Sequence, residues 1–212
     1  MSYEKQVDRS HYEGQAYRSS ERWMSYWHQL VMVRRSDPKT VLEIGVGEGL
    51  VARELELGGV KVTTVDIAED LHPDVVGSVM ALPFADNSFD LVLAAEILEH
   101  IEFSDVPVAL REIARVARAQ VVISIPHPGW VFSINYKLPM VPRIEHFAQI
   151  PFFWKEHVFN GEHYWELGKK EYSMSRFLKL AHEAGLRLVS RERHADDPAH
   201  RFFHFVPEKI PA

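Results

Sequence analysis

The sequence contains no cysteine, no long apolar run and no excess of positive charge, and each absence excludes a class of protein. Without cysteine there is no disulfide scaffold, no thiolate nucleophile and no cysteine zinc site. No stretch approaches the ~18 consecutive apolar residues of a membrane-spanning helix, and the N-terminal residues lack the apolar segment of a signal peptide. We therefore expect a cytoplasmic protein with no membrane partner.

The charge balance is mildly acidic, with 30 acidic and 24 basic residues and a formal net charge of −6. The basic residues form no runs, so we expect no nucleic-acid partner. The length of 212 residues, with 46% hydrophobic and 25% charged residues, is that of one globular domain. We predict a single domain over residues 1–212.

The most informative stretch is residues 41–49, where an apolar strand pattern breaks into three alternating glycines, Gly45, Gly47 and Gly49. Glycine adopts positive φ easily and lets a ligand approach backbone N–H groups closely. A helical pattern follows at residues 50–57, and the partial positive charge at a helix N-terminus suits an anionic ligand group. A tight turn in any α/β protein is the alternative interpretation.

A second strand pattern, residues 60–65, ends at Asp66. An acid at this place, one strand over from a glycine turn, is suited to hold the two hydroxyls of a ribose. A nucleoside ligand is therefore expected. The dinucleotide fingerprint requires glycine at its sixth position, which is Leu50 when counted from Gly45. This difference argues against NAD.

Three motifs resemble those of class I S-adenosylmethionine (AdoMet) dependent methyltransferases, in the branch that includes the ubiquinone-type enzymes. Glu43 and the three glycines resemble their motif I, Glu-x-Gly-x-Gly-x-Gly, and Asp66 resembles their ribose acid. Residues 77–90 resemble the family stretch Gly-Asp-x-x-x-Leu-Pro-Phe-x-Asp-x-Ser-Phe-Asp, with Ser78 where an acid commonly accepts the adenine amino hydrogens. Residues 96–100 resemble the segment after the fourth strand. The resemblance implies AdoMet as cofactor, bound by Glu43, Gly45, Val46, Gly47, Gly49, Asp66, Ile67, Ser78, Val79, Leu82 and Glu96.

The resemblance also implies an α/β fold, a Rossmann-like three-layer structure around a seven-stranded sheet of order 3-2-1-4-5-7-6 with the last strand antiparallel. Hydrophobic periodicity predicts a helix on the sheet over residues 20–35, with Trp23 and Trp27 on its packed face, and a helix over residues 173–184 followed by two strands. The segment between Asp66 and the next extended run is too short for a usual crossover helix. We expect about one helical turn there.

Residues 127–171 fit neither a strand nor a long helix, and they hold ten of the 24 aromatic residues. A long irregular segment inside a domain is usually functional. We therefore predict an insert after strand 5 that closes over the methyl acceptor, with an aromatic minicore or a dimer interface as the alternative. Its pairs Glu156-His157 and Glu162-His163 match no zinc signature, so we predict no metal site.

Methyl transfer from a sulfonium is an in-line displacement, for which an enzyme mainly aligns the reacting atoms. If the acceptor must lose a proton, histidine is a suitable base because its ordinary pKa is ~6.5. We predict His163 as this base and His127, which follows the fifth strand, as the second choice. The alternative is that both only hydrogen-bond the insert shut. His100 is expected to cap or pack locally.

The sequence is compatible with three functions. The favoured one is transfer of a methyl group to an O or N atom of a small-molecule acceptor. A saccharide- or protein-directed methyltransferase and a non-catalytic AdoMet-binding scaffold are the alternatives. The chain lacks the Asn/Asp-Pro-Pro-aromatic motif of enzymes that methylate amino groups of bases or glutamine side chains. A homodimer is left open. Within the N-terminal leader and helix, residues 1–36, positions 8–18 are either a lid over the cofactor or solvated chain.

Overall fold

The computed structural model describes residues 5, 14, 19–141 and 144–208, with Asn135 and Glu145 described by their backbone alone. In chain order the elements are α1 (Ser20–Arg34), β1 (Thr40–Ile44), α2 (Leu50–Leu57), β2 (Lys61–Asp66), β3 (Val75–Val76), β4 (Phe89–Ala95), α3 (Val106–Val116), β5 (Ala117–Pro126), β6 (Gly129–Tyr136), β7 (Ile144–Pro151), α4 (Met174–Glu183), β8 (Leu186–His194) and β9 (Asp197–Pro207). Within these described ranges no helix is long and apolar enough to cross a membrane.

Seven strands of the described chain form one sheet in the order β3-β2-β1-β4-β5-β9-β8. The first five are parallel, whereas β9 runs antiparallel to both β5 and β8. Strands β6 and β7 pair only with each other. Once these two hairpin strands are left out of the numbering, the sheet order is 3-2-1-4-5-7-6. The predicted Rossmann-like α/β architecture is confirmed.

Helices cover both faces of the sheet, and the central strands are buried for that reason. On one face, Leu55 of α2 belongs to a cluster with Leu93 of β4. On the other face, Ile113 of α3 and Phe177 of α4 belong to a cluster with Val92 of β4. Because β1, β2, β4 and β5 are parallel, their carboxyl ends meet at one edge of the sheet, which is where open α/β folds bind ligands.

Helix α1 forms as predicted but with a different packed face. Its buried residues are Ser25, Gln29, Leu30, Met32 and Val33, whereas Trp23 and Trp27 are 54% and 53% exposed. The prediction that the tryptophans lie on the packed face is wrong. The buried face of α1 includes two polar residues, Ser25 and Gln29. Their burial is tolerated because Gln29 donates a hydrogen bond to the Ser25 hydroxyl at 3.3 Å.

The connection between β2 and β3 is short, as predicted. It holds only the three-residue 3-10 helix Glu69–Leu71, and β3 itself is two residues long. The sheet edge at β3 is therefore thinly covered, and the loop that follows Asp66 lies next to the carboxyl ends of the strands.

The prediction that residues 127–171 contain no strands is wrong, because β6 and β7 form an antiparallel hairpin of eight residue pairs. The pattern Trp130, Phe132, Ile134, Tyr136 alternates with a period of two residues, which is typical of a strand. Its apolar side faces solvent, with exposed fractions of 41% to 65%. An exposed strand with aromatic side chains on one face has the same composition as an irregular aromatic segment. The strands were therefore not predicted.

Candidate active site

The glycine turn between β1 and α2 exposes backbone N–H groups at the carboxyl edge of the sheet. Gly45, Gly47 and Gly49 have φ angles of 82°, 53° and 70°, a region that favours glycine. Space is also limiting at Gly45, because a Cβ atom there would lie 2.0 Å from Cδ1 of Ile97. Gly49 is the N-cap of α2 and provides no side-chain cap. The start of this helix therefore suits an anionic ligand group.

Asp66 ends β2 and joins two loops through backbone N–H groups. One carboxyl oxygen accepts a hydrogen bond from the Val46 N–H at 3.0 Å, and the other accepts one from the Ala68 N–H at 2.8 Å. Burial raises the pKa of Asp66, although these hydrogen bonds act in the opposite direction. Each carboxylate oxygen can accept more than one hydrogen bond, so the side chain can still bind ligand hydroxyls.

Glu43 lies in β1 just before the glycine turn and is 5% exposed. Burial raises the pKa of Glu43 to about 8, opposed by a hydrogen bond from the Ala52 N–H of α2. Its Oε2 atom has no hydrogen-bond partner among the described residues. An unsatisfied buried acceptor costs ~1–3 kcal/mol. This wall of the site therefore suits a polar donor on a ligand.

One cavity of about 440 Å³ joins the glycine turn to the space beneath the insert. Most of the residues implied by the resemblance line it: Glu43, Gly45, Val46, Gly47, Asp66, Ile67, Ser78, Val79 and Glu96. The remaining two do not. Gly49 lies behind the turn at the N-cap of α2, and Leu82 is buried in the core with an exposed fraction of 4%.

Ser78 lies on the cavity wall between Gly77 and Val79. Its hydroxyl oxygen accepts a hydrogen bond from the Met80 N–H at 3.2 Å. A hydroxyl has one donor and two acceptor sites, so Ser78 keeps one acceptor site beside this contact. It is a weaker acceptor than the carboxylate that commonly stands at this position in the resembling family.

Glu96 stands at the end of β4 in a strained left-handed conformation, with φ 55°. Its carboxylate accepts a hydrogen bond from the Ser124 hydroxyl at 2.7 Å and lies 3.2 Å from Nε2 of His200. His200 also contacts buried Asp197 through Nδ1, at 2.5 Å. Burial lowers the pKa of His200, but the two carboxylates outweigh it and the net shift is upward. The His200 ring, held between the Glu96 and Asp197 carboxyl groups, therefore orients Glu96.

Glu99 is fully buried, with an exposed fraction of 0%, and it lines the same cavity. Neither of its carboxyl oxygens has a hydrogen-bond partner among the described residues. Burial, followed by repulsion from Glu96, raises the pKa of Glu99 well above its ordinary value. A buried carboxyl group that interacts with a second carboxyl group, here that of Glu96, is energetically costly unless a ligand or an ion compensates it.

Two histidines face each other across this end of the cavity. The rings of His100 and His163 have centroids 5.1 Å apart in an edge-to-face arrangement. Nδ1 of His100 lies 3.1 Å from the Glu162 carbonyl oxygen, and Nδ1 of His163 lies 3.2 Å from Oε1 of Glu166. Burial alone would raise the pKa of Glu166, but hydrogen bonds from His163 and Lys169 outweigh it and lower the pKa to about 2. Glu166 is therefore an ionised orienting group.

The sequence of the sheet's first half matches a known family. Residues 42–125 match the family described as Methyltransferase domain. By this match, residues 42–125 carry a methyltransferase domain, similar to those of the class I AdoMet-dependent superfamily.

Relatives in this superfamily resemble only part of the chain. The demethylmenaquinone methyltransferase of Corynebacterium kroppenstedtii is 35% identical over 121 residues, which is 51% of this chain and 48% of the relative. The malonyl-[acyl-carrier protein] O-methyltransferase of Erwinia pyrifoliae is 29% identical over 126 residues, which is 52% of this chain and 47% of the relative. The chain thus spans about half the length of the curated relatives it matches.

Solved structures of superfamily members agree in fold over almost the whole chain. The 1,6-didemethyltoxoflavin-N1-methyltransferase of Burkholderia thailandensis, solved with S-adenosylhomocysteine, has a TM-score of 0.61 at 16% identity and covers 95% of this chain and 87% of its own. The N-methyltransferase NodS of Bradyrhizobium japonicum, also solved with S-adenosylhomocysteine, has a TM-score of 0.56 at 14% identity, covering 88% and 87%. At this identity the likeness shows the fold alone.

Only one of the two predicted catalytic histidines lines the cavity. His163 does, whereas His127 lies outside the lining and is 5% exposed. Nδ1 of His127 lies 2.9 Å from Oε1 of Gln149, and the Gln149 amide donates to the His127 and Pro198 carbonyls. Burial lowers the pKa of His127 to about 4. His127 is therefore a neutral anchor of the β6–β7 hairpin, and its prediction as a residue facing the methyl is corrected.

Helix α1 and strand β9 contribute a part of the cavity that no sequence motif indicated. Arg22, Tyr26 and Gln29 of α1 line the cavity, and their spacing of four and three residues places them on one helix face. This polar face was visible in the sequence, but the tryptophan pattern was stronger. His200 of β9 had no local signal, because it reaches the site only through the pairing of β9 with β5.

The insert contributes to the cavity with polar residues rather than with aromatic ones. Its lining residues are Pro128, Glu162, His163 and Glu166, and no aromatic side chain from the described part of the insert lines the cavity. Lys5 of the leader also lines it. The predicted lid over residues 8–18 lies outside the described residues apart from Gly14.

Proposed function

We propose that the protein is an AdoMet-dependent methyltransferase that transfers the sulfonium methyl group to an O or N atom of a small-molecule acceptor. One observation carries the proposal. A single cavity is bounded by the glycine turn, Glu43 and Asp66 on one side and by His100 and His163 on the other. A donor and an acceptor that bind at the two sides are held in one continuous cavity, and alignment is the main requirement of methyl transfer.

The residues on the first side fit AdoMet, which supplies the methyl group as a sulfonium. Asp66 would accept hydrogen bonds from the ribose hydroxyls, since its oxygens keep acceptor capacity beside the Val46 and Ala68 N–H groups. The unpartnered Oε2 atom of Glu43 would accept from the ammonium group, directly or through water. The N–H groups at the start of α2 suit the carboxylate.

The volume and the lining of the cavity favour a small acceptor over a polymer. Trp165, which is fully buried, donates a hydrogen bond from Nε1 to the Leu98 carbonyl at 3.0 Å and fixes the insert against the loop after β4. The exposed aromatic residues of β6 do not line the cavity, so they provide no stacking platform for a sugar ring beside the methyl group. The names of the relatives, which act on a demethylmenaquinone and on a malonyl group carried by a protein, agree with this substrate class.

We propose His163 as the catalytic residue on the acceptor side. It faces the cavity, and Glu166 holds its Nδ1 atom in place. His163→Ala should lower turnover by ~10²–10⁴ while the affinity for S-adenosylhomocysteine stays within a few-fold of the unchanged protein. His182→Ala, at an exposed position on α4, is the control and should retain full turnover.

The experiment is AdoMet-dependent turnover against an acceptor library, with product masses checked for the addition of one methyl group, beside calorimetric titration with S-adenosylhomocysteine. Cofactor binding together with a methylated product supports the proposal. Cofactor binding without any methylated product across phenols, carboxylates and amines would instead favour a non-catalytic scaffold. Absence of cofactor binding would contradict the proposal as a whole.

A further inference from the structure

We propose that Glu99, His100 and His163 form a binding site for a divalent transition-metal ion such as Zn²⁺ on the acceptor side of the cavity. Each residue offers one ligand atom, and the three atoms lie within 4.8 Å of one another. All three residues line the cavity. The site was invisible in sequence because the fold brings the Glu99-His100 pair and His163 together from separate segments.

The state of Glu99 is the observation that points to a ligand. Its side chain is completely buried and lines the cavity, its two carboxyl oxygens lack hydrogen bonds of good geometry among the described residues, and it interacts with a second carboxyl group, that of Glu96. Native structures rarely leave buried polar atoms unsatisfied. A cation bound at this point would satisfy the carboxylate, and buried charges in proteins are normally paired or coordinate a metal.

The two histidines are oriented as metal ligands are. A ligating histidine usually donates its other ring N–H to a carboxylate or to a backbone carbonyl, which fixes the tautomer and the ring orientation. Here Nδ1 of His163 lies 3.2 Å from the Glu166 carboxylate, and Nδ1 of His100 lies 3.1 Å from the Glu162 carbonyl. In that tautomer each ring has its lone pair on Nε2, which is the ligand atom this arrangement predicts.

The donor set selects the kind of metal. Two imidazoles and one carboxylate suit Zn²⁺, Fe²⁺ or Co²⁺ better than Mg²⁺, which prefers oxygen ligands. Ligands ~2.0–2.2 Å from a tetrahedral zinc are roughly 3.3 Å apart, so side-chain movements of about 1 Å would close the site around the ion. Three protein ligands leave a coordination position open, as in catalytic rather than structural zinc sites.

The open position gives the site a role in the proposed function, on which this part of the inference rests. An acceptor hydroxyl bound to the metal has a lowered pKa and releases its proton to water. The resulting oxyanion attacks the methyl carbon, the new C–O bond forms as the C–S bond breaks, and the sulfur leaves with the bonding electron pair as a neutral thioether. His163 then acts as a metal ligand, and the acceptor atom is oxygen.

Metal binding can be measured without turnover. The chelator-treated full-length protein is titrated with Co²⁺, whose visible absorption reports its ligands, and Zn²⁺ is added in competition. We expect one tight equivalent in the unchanged protein and at least ~10–100-fold weaker binding in His163→Ala and Glu99→Gln. Glu166→Gln, which keeps all three ligands but alters the group orienting His163, should weaken binding ~10–100-fold.

A second histidine cluster in the described structure provides the matched control. Nε2 of His28 lies 2.8 Å from Asp196, and its ring stacks on His194 at 3.5 Å, so these residues also form a group able to hold a metal. His194→Ala should leave the tight cobalt site unchanged. Loss of the tight site in His194→Ala with retention in His163→Ala would overturn the proposal, as would an unchanged protein that binds no cobalt.

Titration with S-adenosylhomocysteine is run on every variant and separates the two proposals. Retained cofactor binding also shows that a variant is folded. If Glu99→Gln does not fold, His163→Ala decides alone, because His163 lies on the cavity wall rather than in the core. Cofactor binding without cobalt binding would remove the metal site and leave the proposed function standing. Cobalt binding without cofactor binding would support the metal site and contradict the proposed function.

Discussion

Replacement of Glu43 by glutamine should stabilise the ligand-free protein at pH 8 and have little effect near pH 4.5. Burial raises the pKa of Glu43 from 4.5 to about 8 in the folded state. Between pH 4.5 and about pH 8, Glu43 keeps its proton in the folded protein but has lost it in the unfolded chain. The unfolding free energy therefore falls as the pH rises through this window, since the folded state binds more protons. Glutamine is neutral in both states and removes this dependence.

The size of the effect follows from the shift. One pKa unit corresponds to ~1.36 kcal/mol, so a shift from 4.5 to about 8 gives a destabilisation on the order of 4 kcal/mol at pH 8. Glutamine keeps an oxygen that can accept from the Ala52 N–H, so the contact with α2 survives. The measurement is urea unfolding at several pH values between 5 and 8, in the absence of AdoMet.

The control for this prediction is Glu54→Gln, which neutralises an exposed carboxylate on α2, the helix that contacts Glu43. In Glu54→Gln the free energy of unfolding should depend on pH in the same way as in the unsubstituted protein. If Glu43→Gln and Glu54→Gln both retain the full decline in stability between pH 5 and pH 8, Glu43 is not a buried protonated acid and the argument for its environment is wrong.

Three further changes test the geometry of the site. Gly45→Ala should weaken S-adenosylhomocysteine binding, because its Cβ would lie 2.0 Å from Cδ1 of Ile97 and displace a side chain that lines the cavity. Gly59→Ala, at a similar φ of 84° with nothing within 4 Å, should cost only the ~1–3 kcal/mol of backbone strain and retain binding. Ser78→Asp should preserve or improve cofactor affinity in calorimetry; a large loss would place the adenine elsewhere. Gln149→Leu should raise the hydrogen-exchange rates of the β6–β7 hairpin more than those of the central sheet, since it removes the bonds to the His127 and Pro198 carbonyls; equal rates would contradict the anchor role.

Local motifs explain why the glycine turn and Asp66 were predictable from sequence. The turn needs positive φ at three successive alternate positions, and only glycine adopts these easily. Asp66 directly follows a strand pattern, so its place at the carboxyl edge is fixed by the strand itself. The short connection before β3 was predictable from the same local strand and turn signals, whereas the sheet order was implied by the family resemblance.

Features that depend on tertiary contacts were not predictable. The packed face of α1 is set by its contacts with the sheet rather than by its largest side chains, so Trp23 and Trp27 were misplaced. The apolar face of β6 is exposed, which removed the usual link between alternation and burial. His200 joins the site only through the pairing of β9 with β5. The meeting of Glu99 with His163 likewise depends on how the insert folds back.

The measurement that tests the central claim most directly is calorimetric titration with S-adenosylhomocysteine and, separately, with NAD. The account predicts binding of the first and not of the second. Asp66→Ala should weaken binding at least ~tenfold, because each hydrogen bond between a charged group and a ribose hydroxyl contributes ~1.5–3 kcal/mol. Glu54→Ala, which removes an equal charge at an exposed position outside the cavity lining, should change little. Tight NAD binding without heat from S-adenosylhomocysteine, or unchanged affinity in Asp66→Ala, would contradict it.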